Sequence, residues 1–434
     1  MIDDALRQNL ERAFRGRDIG ELRELLSTHP AARGLINEPL FPFDSPALVH
    51  VAGEGNLELV NLLLEFGADP NRRSDWWAGG FHVLHSARGA VAERLIEAGA
   101  IPDACAAAQL DRVELLEQLL DAEPGRVNER GGDGQTPLHF ARSREVVDLL
   151  LARGADLNAR DVDHRATPAE WMLEQKRGAG RYDLADYLVR RGASADIFLA
   201  AALGLTDRIR ELVDSDDAVL ELRSGRGVYD EKPPSSFHIY TWSVGQHRSP
   251  LQVAAQFHQR EALRLLLSVA SPAERLLDAC VRGDTTEARE IVRGHPGLIS
   301  QLTPEQQSVL PDAGWAGNTA AVTLMLDLGF DPRVKGAMGG SVLHTAAAEG
   351  VPACVEAALR SPRVRELLNE SDPVHGSSPL GWCCWGACHS GNRMRDHATV
   401  ARMLLDAGAR PVADLESVPE EVATVIREFG KTGD

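Results

Sequence analysis

Two short motifs recur along the chain and constrain its fold more than any other feature. The best copy of the first covers residues 136–141 (TPLHFA), and the second follows at residues 154–158 (GADLN). Weaker copies of one or both occur from about residue 45 to residue 411, and the glycines of two successive copies, Gly67 and Gly99, are 32 residues apart. A period of this size indicates an array of small stacked units rather than one large core.

Each part of the motifs has a local structural role. Ser or Thr caps a helix and the following Pro begins it, because the N–H that Pro lacks would have no partner there. A leucine-rich stretch such as residues 146–151 (VVDLLL) then supplies the buried face of a second helix. A glycine ends that helix in a left-handed conformation. The motifs therefore predict a helix-turn-helix unit.

The predicted fold class is all-α, a solenoid of about twelve helix-turn-helix units with short hairpin tips. Residues 1–223 are predicted to form N-terminal repeats, residues 224–248 an inserted loop, and residues 249–430 C-terminal repeats that end in a capping helix at about 419–429. Smaller expansions are predicted at residues 173–180 and 391–396. The units are roughly 5–38, 39–73, 74–103, 104–130, 131–160, 161–196, 197–223, 249–270, 271–301, 302–332, 333–369 and 370–411.

The chain resembles the ankyrin repeat family over essentially its whole length, since ankyrin units are 33 residues long and carry a Thr-Pro-Leu-His opening. The resemblance is to long bacterial arrays, and an excess of Arg, Ala and Gly also favours a bacterial origin. It implies recognition of a protein through the concave face and loop tips, without catalysis. The distinctive segments are residues 74–81 (SDWWAGGF), 161–168 (DVDHRATP), 239–242 (IYTW) and 376–382 (GSSPLGW).

Charge and hydropathy exclude several classes of partner. The net charge is −18, so the chain is a poor candidate for binding nucleic acid or an anionic membrane, both of which attract basic surfaces. No run approaches the roughly 20 apolar residues that cross a bilayer. The N-terminus lacks the basic start and apolar stretch of a signal peptide. We expect a soluble, cytoplasmic protein.

A cysteine cluster near the C-terminus raises the question of zinc. Cys383, Cys384 and Cys388 are followed by His389, but zinc sites usually draw paired ligands from two separated positions, and no second pair is evident. Cys383 also falls where other units have a small buried residue, and Cys packs as a small hydrophobe. Packing is therefore favoured over metal binding, and we predict no metal site and no cofactor.

The tryptophans all fall at inner-helix or loop positions of the repeat pattern. They either fill gaps left by shortened units or line a groove for a ligand, and the sequence leaves both interpretations open. Aromatic platforms beside a few polar groups are typical of ligand sites. The candidate ligand-binding residues are Trp76, Trp77, Trp171, Tyr240, Trp242, Trp315 and Trp382.

A few polar residues also depart from the repeat pattern. His164 stands at a hairpin tip where a glycine is usual, beside Asp161 and Asp163, which are expected mainly to shape the turn. His139 and His344 occupy the regular histidine position of the repeat and should bridge backbone groups. A His with a nearby carboxylate can act as a general base. The candidate acid–base residues are Asp163, His164, His238 and Asp312.

Two functions are consistent with these features. The first is a binding scaffold that recognises a partner, most often a protein, in its concave groove. The alternative is a protein that binds a small polar ligand, such as a carbohydrate, or a metal-free hydrolase, lyase or isomerase that uses the same groove for acid–base chemistry. A catalytic site would require the Asp and His candidates to meet in one pocket.

Overall fold

A computed structural model describes residues 4–174, 180–336, 338–389, 395–415 and 417–431. The described residues are helices joined by short turns, and β pairing among them is limited to an isolated bridge between Phe41 and Ser45. No helix in this part of the chain combines the length and the hydropathy that a membrane span requires. The prediction of an all-α fold built from helix-turn-helix units is confirmed.

The chain divides into two compact units, the first ending at Leu263 and the second beginning at Arg264. In the first unit the helices follow one another as pairs, and short 3-10 turns connect several of them. These turns are Pro42–Asp44, Val83–His85, Pro124–Asn128, Gly132–Gly134, Asp217–Glu221 and Gly227–Tyr229. The helices are Asp4–Gly16, Ile19–Thr28, Pro30–Leu35, Ala47–Ala52, Leu57–Glu65, Gly89–Glu97, Ala104–Gln109, Val113–Ala122, Pro137–Phe140, Arg144–Ala152, Pro168–Trp171, Tyr182–Arg190, Ile197–Leu203, Thr206–Ser215, Tyr240–Ser243 and Pro250–Gln256.

The second unit repeats the same plan. Helix Arg260–Val269 contains the boundary between the units, and helix Glu420–Lys431 lies where the sequence places a helix at about 419–429. Its capping role stays a prediction. The expansions predicted at 173–180 and 391–396 lie in part outside the described residues. The remaining helices are Pro272–Arg282, Thr285–Gly294, Leu298–Gln301, Pro304–Gln307, Val309–Trp315, Thr319–Leu328, Val342–Glu349, Pro352–Leu359, Pro362–Arg365, Pro379–His389 and His397–Asp406.

Glycine ends the second helix of many pairs in the conformation that the sequence predicts. Gly67, Gly99 and Gly154 have φ values of 90°, 96° and 89°, in the left-handed region that a side chain disfavours. Just before them the helices bury leucines against the neighbouring pair, as Leu62 and Leu63 do in helix Leu57–Glu65. Each unit is therefore held by apolar burial within a stack and closed by a glycine turn.

Asparagine side chains join successive pairs at these glycines. Asn71 donates its side-chain N–H to the carbonyl of Gly99 at 2.8 Å and accepts the N–H of Ile101 at 2.9 Å. Asn369 makes the equivalent two bonds, to Gly408 and from Arg410, in the second unit. Because both backbone groups belong to the next pair, these contacts fix the register between neighbouring repeats.

The histidine of the TPLH motif bridges repeats as predicted. His139 accepts the Thr136 N–H through Nδ1 at 3.0 Å, so its Nε2–H donates to the carbonyl of Ala166 in the next unit at 3.1 Å. His344 likewise donates through Nε2 to the carbonyl of Glu370 at 3.0 Å. These imidazoles are buried and serve the scaffold.

The segment at 224–248 is closed at its base by backbone hydrogen bonds. Ser224 donates its N–H to the carbonyl of Arg248 at 3.1 Å, and His247 donates to the carbonyl of Ser224 at 2.9 Å. The Ser224 hydroxyl also donates to the carbonyl of Gly245 and accepts the Arg248 N–H. The two ends of this segment are therefore adjacent, and its middle forms a loop, which we call the inserted loop.

We expect His139→Gln to lower the free energy of unfolding at neutral pH by about 1–3 kcal/mol, because the substitution disturbs hydrogen bonds to buried backbone groups. Burial lowers the pKa of His139 to about 3, from about 6.5 for an unperturbed histidine. The stability contributed by the neutral ring is therefore complete above about pH 6.5 and declines as pH falls toward 3. Urea denaturation of both proteins between about pH 7 and pH 4 measures this difference.

The difference in free energy of unfolding between wild type and His139→Gln should become smaller as the pH is lowered. His295→Gln, at an exposed imidazole that follows helix Thr285–Gly294, is the control and should change stability little at any pH. If the difference in free energy of unfolding between wild type and His139→Gln stayed constant over this pH range, His139 would not be the buried neutral imidazole that we assign.

Candidate functional site

A cavity of about 570 Å³ lies in the first unit and is lined by residues between Pro42 and Arg181. Its volume is within the range of ligand pockets in proteins. The walls combine flat apolar surfaces with guanidinium groups, a composition suited to a ligand with both apolar and anionic parts. The aromatic side chains are Phe43, Phe81, Phe140 and Trp171, and the arginines are Arg88, Arg142 and Arg181.

Two of these arginines, Arg142 and Arg181, donate hydrogen bonds to neutral oxygens. Arg181 donates two hydrogen bonds of 2.7 Å through one nitrogen, to the carbonyls of His139 and Ala141. Arg142 donates through Nε and a terminal nitrogen to the side-chain oxygen of Gln109, at 2.9 and 2.7 Å. Burial, followed by the positive charge of Arg142, lowers the pKa of Arg181 to about 9. An anion in the cavity would relieve this repulsion between guanidinium groups.

Aromatic contacts extend from the cavity wall toward residues 76 and 77. The ring of Phe43 meets Trp76 edge to face with centroids 5.2 Å apart, and it lies 5.5 Å from Phe81. Trp77 lies 6.1 Å from Trp76 and is exposed. The predicted ligand residues Trp76 and Trp77 therefore continue the apolar surface that begins in the cavity, whereas Trp171 lines the cavity itself.

Two neighbouring hairpin tips bring acidic groups and an imidazole together. Asp133 accepts the N–H groups of Val162 and Asp163 through its backbone carbonyl, so the two tips are joined directly. Asp161 shapes its own turn, as predicted, by accepting the N–H groups of His164 and Ala166 at 2.7 and 2.6 Å. We call Asp133, Asp163 and His164, which are all buried, the tip cluster.

Asp163 contacts the inserted loop rather than shaping its turn, which corrects the sequence interpretation. Its Oδ1 accepts the N–H of Ser236 at 2.7 Å, and its backbone carbonyl accepts the Ser235 hydroxyl at 2.5 Å. His164 lies 2.7 Å from the carbonyl of Phe237 through Nδ1. The loop therefore packs onto the tips and contacts both Asp163 and His164.

A second buried group lies beside the first and is built on Asp196. The hydroxyls of Tyr229 and Tyr240, both in the inserted loop, donate to its two oxygens at 2.7 and 2.8 Å. The His238 ring meets Tyr229 edge to face and lies tilted against Tyr240, with centroid distances of 5.0 and 4.7 Å, and its Nε2 is 4.0 Å from Oε2 of Glu170. We call these five residues the tyrosine cluster.

The pKa values of Glu170 and His238, both in the tyrosine cluster, are shifted in opposite directions. Burial, followed by the negative charge of Asp196, raises the pKa of Glu170 well above its usual range. Burial lowers the pKa of His238 to about 3, and nearby Arg160 adds to the effect. Both shifts favour the neutral form, so this pair carries no net charge at neutral pH.

Comparison with known proteins places these repeats in a family. Residues 104–199 match ankyrin repeats in three copies, and residues 47–75 match a single ankyrin repeat. These parts of the chain are ankyrin repeats. Both matches fall in the first unit, which also carries the cavity, and the tip cluster lies within the three-copy match.

Several curated proteins are similar to parts of this chain. The ankyrin repeat and SAM domain-containing protein 6 of Rattus norvegicus is 30% identical over 159 residues, which cover 33% of this chain and 17% of the relative. The Mus musculus protein of the same name is 30% identical over 146 residues, 31% of this chain and 16% of the relative. The E3 ubiquitin-protein ligase KEG of Arabidopsis thaliana is 24% identical over 264 residues, 57% of this chain and 16% of the relative. The chain thus spans only a small part of these relatives.

The structure brings together some of the predicted site residues. Asp163 and His164 meet in the tip cluster, with Trp171 in edge contact with His164 at 5.1 Å between ring centroids. His238 and Tyr240 are in the tyrosine cluster. Trp242, at the edge of the inserted loop, is exposed and donates its Nε1–H to the carbonyl of Ser236 at 3.0 Å.

The remaining predicted residues lie in the second unit of the repeat array. Asp312 and Trp315 are on helix Val309–Trp315, and Trp382 is on helix Pro379–His389. Trp382 is buried and donates its Nε1–H to Asp372 at 2.9 Å, which gives it a packing role. Trp315 is more exposed, with its ring 6.1 Å from that of Trp382. The predictions that Trp315 and Trp382 bind a ligand and that Asp312 is an acid–base residue stay predictions.

The cysteines near residue 388 do not converge as metal ligands do. Cys383 is buried in the core with its Sγ 3.4 Å from the carbonyl of His397. Cys388 is exposed and contacts the carbonyl of Ser417 at 3.2 Å, whereas Nδ1 of His389 contacts the carbonyl of Trp385 at 2.8 Å. Core packing therefore accounts for Cys383, as the sequence indicates.

Several residues of the site have no distinctive sequence signal. Asp196 also caps helix Ile197–Leu203, and Asp133 stands in an ordinary glycine-rich tip, so both resemble scaffold residues. Arg142 and Arg181 lie in turns of shortened or expanded repeats. Glu170 offers a signal that could have been used, since it replaces the bridging histidine of the motif.

We expect Glu170→Gln to stabilise the protein increasingly as the pH rises from about 5 to about 9. The pKa of Glu170 is higher in the folded state than in the unfolded state, where it is 4.5. The stability that the protonated carboxyl contributes is therefore fully present below pH 4.5 and is lost as the pH rises through the folded-state pKa. Glutamine keeps the cap to the Thr167 N–H, which Glu170 accepts at 2.7 Å, and does not ionise. Denaturant midpoints across this pH range measure the effect.

Glu114→Gln, at an exposed position of helix Val113–Ala122, is the matched control. The effect of this substitution on stability should not increase as the pH rises. Parallel pH profiles for wild type and Glu170→Gln would show that the Glu170 carboxyl is not shifted by its surroundings.

Proposed function

We propose that the chain is a binding scaffold that holds a segment of a partner protein in the cavity of its first unit. The ankyrin repeats and the similarity to other ankyrin-containing proteins support a repeat-based scaffold for protein binding. The observation that carries the proposal is the convergence of Arg88, Arg142 and Arg181 with aromatic rings on one cavity of about 570 Å³.

The chemistry of the walls indicates which segment fits. Guanidinium groups recognise carboxylates, and Phe140 and Trp171 offer apolar surface to a neighbouring side chain. Asp133 and Glu174 also line the cavity, so a ligand of high negative charge would meet repulsion. The matching segment is a peptide with one or two acidic residues next to an aromatic or aliphatic residue.

The acid–base alternative has less support from the geometry. Of the four candidate acid–base residues, Asp163, His164 and His238 are buried behind the tips and do not line the cavity, and Asp312 belongs to the second unit. A substrate in the cavity would contact Asp133 and Trp171 but not these groups. We therefore propose binding without catalysis. The free cysteines also favour a reducing compartment, and we propose the cytoplasm as the location.

Selection of a random-peptide phage library on the purified chain tests this function. We expect enriched peptides to pair Asp or Glu with Phe, Trp or Leu. Arg142→Glu should weaken their binding by more than about tenfold, since it replaces an attractive charge by a repulsive one at short range. Fluorescence polarisation with a labelled enriched peptide measures the affinity.

Arg210→Glu is the matched control, because it makes the same change of net charge on helix Thr206–Ser215, outside the residues that line the cavity. It should bind the peptide as wild type does. Enriched peptides without acidic residues, or equal loss of affinity in both variants, would contradict the proposed site.

A further inference from the structure

The tip cluster collects metal-binding atoms in a buried place. Asp133, Asp163 and His164 each offer one ligand atom, and these atoms lie within 4.8 Å of one another. Both carboxylates are buried, with 7% and 0% of their side-chain surface exposed. Two carboxylates this close, away from water, repel each other unless positive charge lies between them.

The carboxylate of Asp163 gives a second, independent indication that the tip cluster binds a cation. Its Oδ1 accepts the N–H of Ser236, but its Oδ2 is buried without a hydrogen-bond partner. This oxygen is 3.6 Å from Nε2 of His164, so it points into the cluster. A buried carboxylate oxygen without a donor costs free energy that a bound cation would offset.

The tautomer of the neutral His164 ring follows from its contact with the inserted loop. The carbonyl of Phe237, 2.7 Å from Nδ1, can only accept a hydrogen bond, so Nδ1 carries the proton. Nε2 then presents its lone pair to the two carboxylates. Histidines that bind metals usually have this arrangement, with the second nitrogen donating to a carbonyl or carboxylate.

The distances suit a metal ion better than a proton. Nε2 of His164 is 3.6 Å from Asp163 and 4.0 Å from Asp133, both longer than the roughly 2.7–3.2 Å of a hydrogen bond. Zn²⁺ bonds to nitrogen and carboxylate oxygen at about 2.0–2.2 Å, so two ligands on a tetrahedral ion are about 3.4 Å apart. Small side-chain movements would close the remaining difference.

The arginines of this hairpin contact other acids. Arg160 lies 3.8 Å from Glu170, and Arg165 lies 3.3 Å from Glu231 in the inserted loop. Oδ2 of Asp163, by contrast, has no hydrogen-bond partner.

We propose that Asp133, Asp163 and His164 bind one divalent transition-metal ion, with Zn²⁺ as the ion that an imidazole and two carboxylates match. Because its ligands come from two neighbouring tips and are also held by the backbone of the inserted loop, the ion fastens that loop to the repeats. This role does not depend on the peptide proposed for the cavity.

A different cluster, His85, Asp103 and Cys105, also brings ligand-type atoms together. Its acid is already engaged, since Asp103 accepts from the Ala106 N–H, from Arg73 and from Nε2 of His85. Its thiol would give a bound metal a different spectrum, which allows the two clusters to be distinguished.

The test uses the full chain, tag-free and reduced, after removal of metal with EDTA. Titration with ZnCl₂ by calorimetry should show one Zn²⁺ per chain. Asp163→Asn should weaken the affinity at least about 100-fold, because even residues outside the ligand set commonly cost 10- to 100-fold. His238→Gln, which changes a buried imidazole outside the cluster, is the matched control and should keep the affinity. Circular dichroism checks that both variants fold.

Cobalt substitution of the wild type gives a second readout that needs no variant. Co²⁺ should show visible bands of nitrogen and oxygen ligands without a thiolate charge-transfer band, and Zn²⁺ should slow hydrogen exchange at residues 235–238. If Asp163→Asn does not fold, these two measurements decide.

Three results would overturn the proposal. One is the lack of stoichiometric Zn²⁺ uptake by the wild type, which would leave a proton or water in the cluster. The second is a thiolate band, which would place the metal at a cysteine such as Cys105 or the exposed Cys388 rather than at the tip cluster. The third is a folded Asp163→Asn variant with undiminished affinity.

Discussion

The hydrogen bonds that cross from one repeat to the next are the interactions on which the rest of the structure depends. In a solenoid each repeat contacts only its neighbours, so errors in register would accumulate along the chain. The side chains of Asn71 and His139 each bind backbone groups of the following repeat. Apolar burial supplies most of the stability, but it is not directional. These polar bridges fix where each hairpin tip lies.

Fixed tips explain how a site can form from residues that are distant in sequence. Asp133 and His164 belong to different repeats, and Phe237 to the inserted loop, yet the register of the tips places them in one cluster. Burying such groups opposes folding unless each is compensated. The inserted loop compensates several of them with its tyrosine hydroxyls and backbone N–H groups, so the loop and the tips stabilise each other.

The sequence predicts the scaffold well because its motifs act locally. Capping residues, glycine turns and leucine stripes determine a helix pair without reference to distant residues, and the helix pairs follow the predicted spans. His164 could be singled out because it breaks the tip pattern. Asp133 and Asp196 could not, because each also performs a local task that hides its second role. Which neighbours a tip residue meets depends on the packing of the inserted loop, and no periodicity encodes that packing.

The acidic chain and the basic cavity act at different ranges. A net charge of −18 repels polyanions, but such repulsion between exposed charges is screened beyond about 8 Å at physiological salt. Arg142 and Arg181 act on a group inside the cavity, where the low local dielectric strengthens their attraction. A nucleic acid would meet the repulsion along its whole length, whereas a short peptide would place only one or two carboxylates against the arginines. The proposed site would therefore select a local acidic feature on a partner rather than a partner that is acidic throughout.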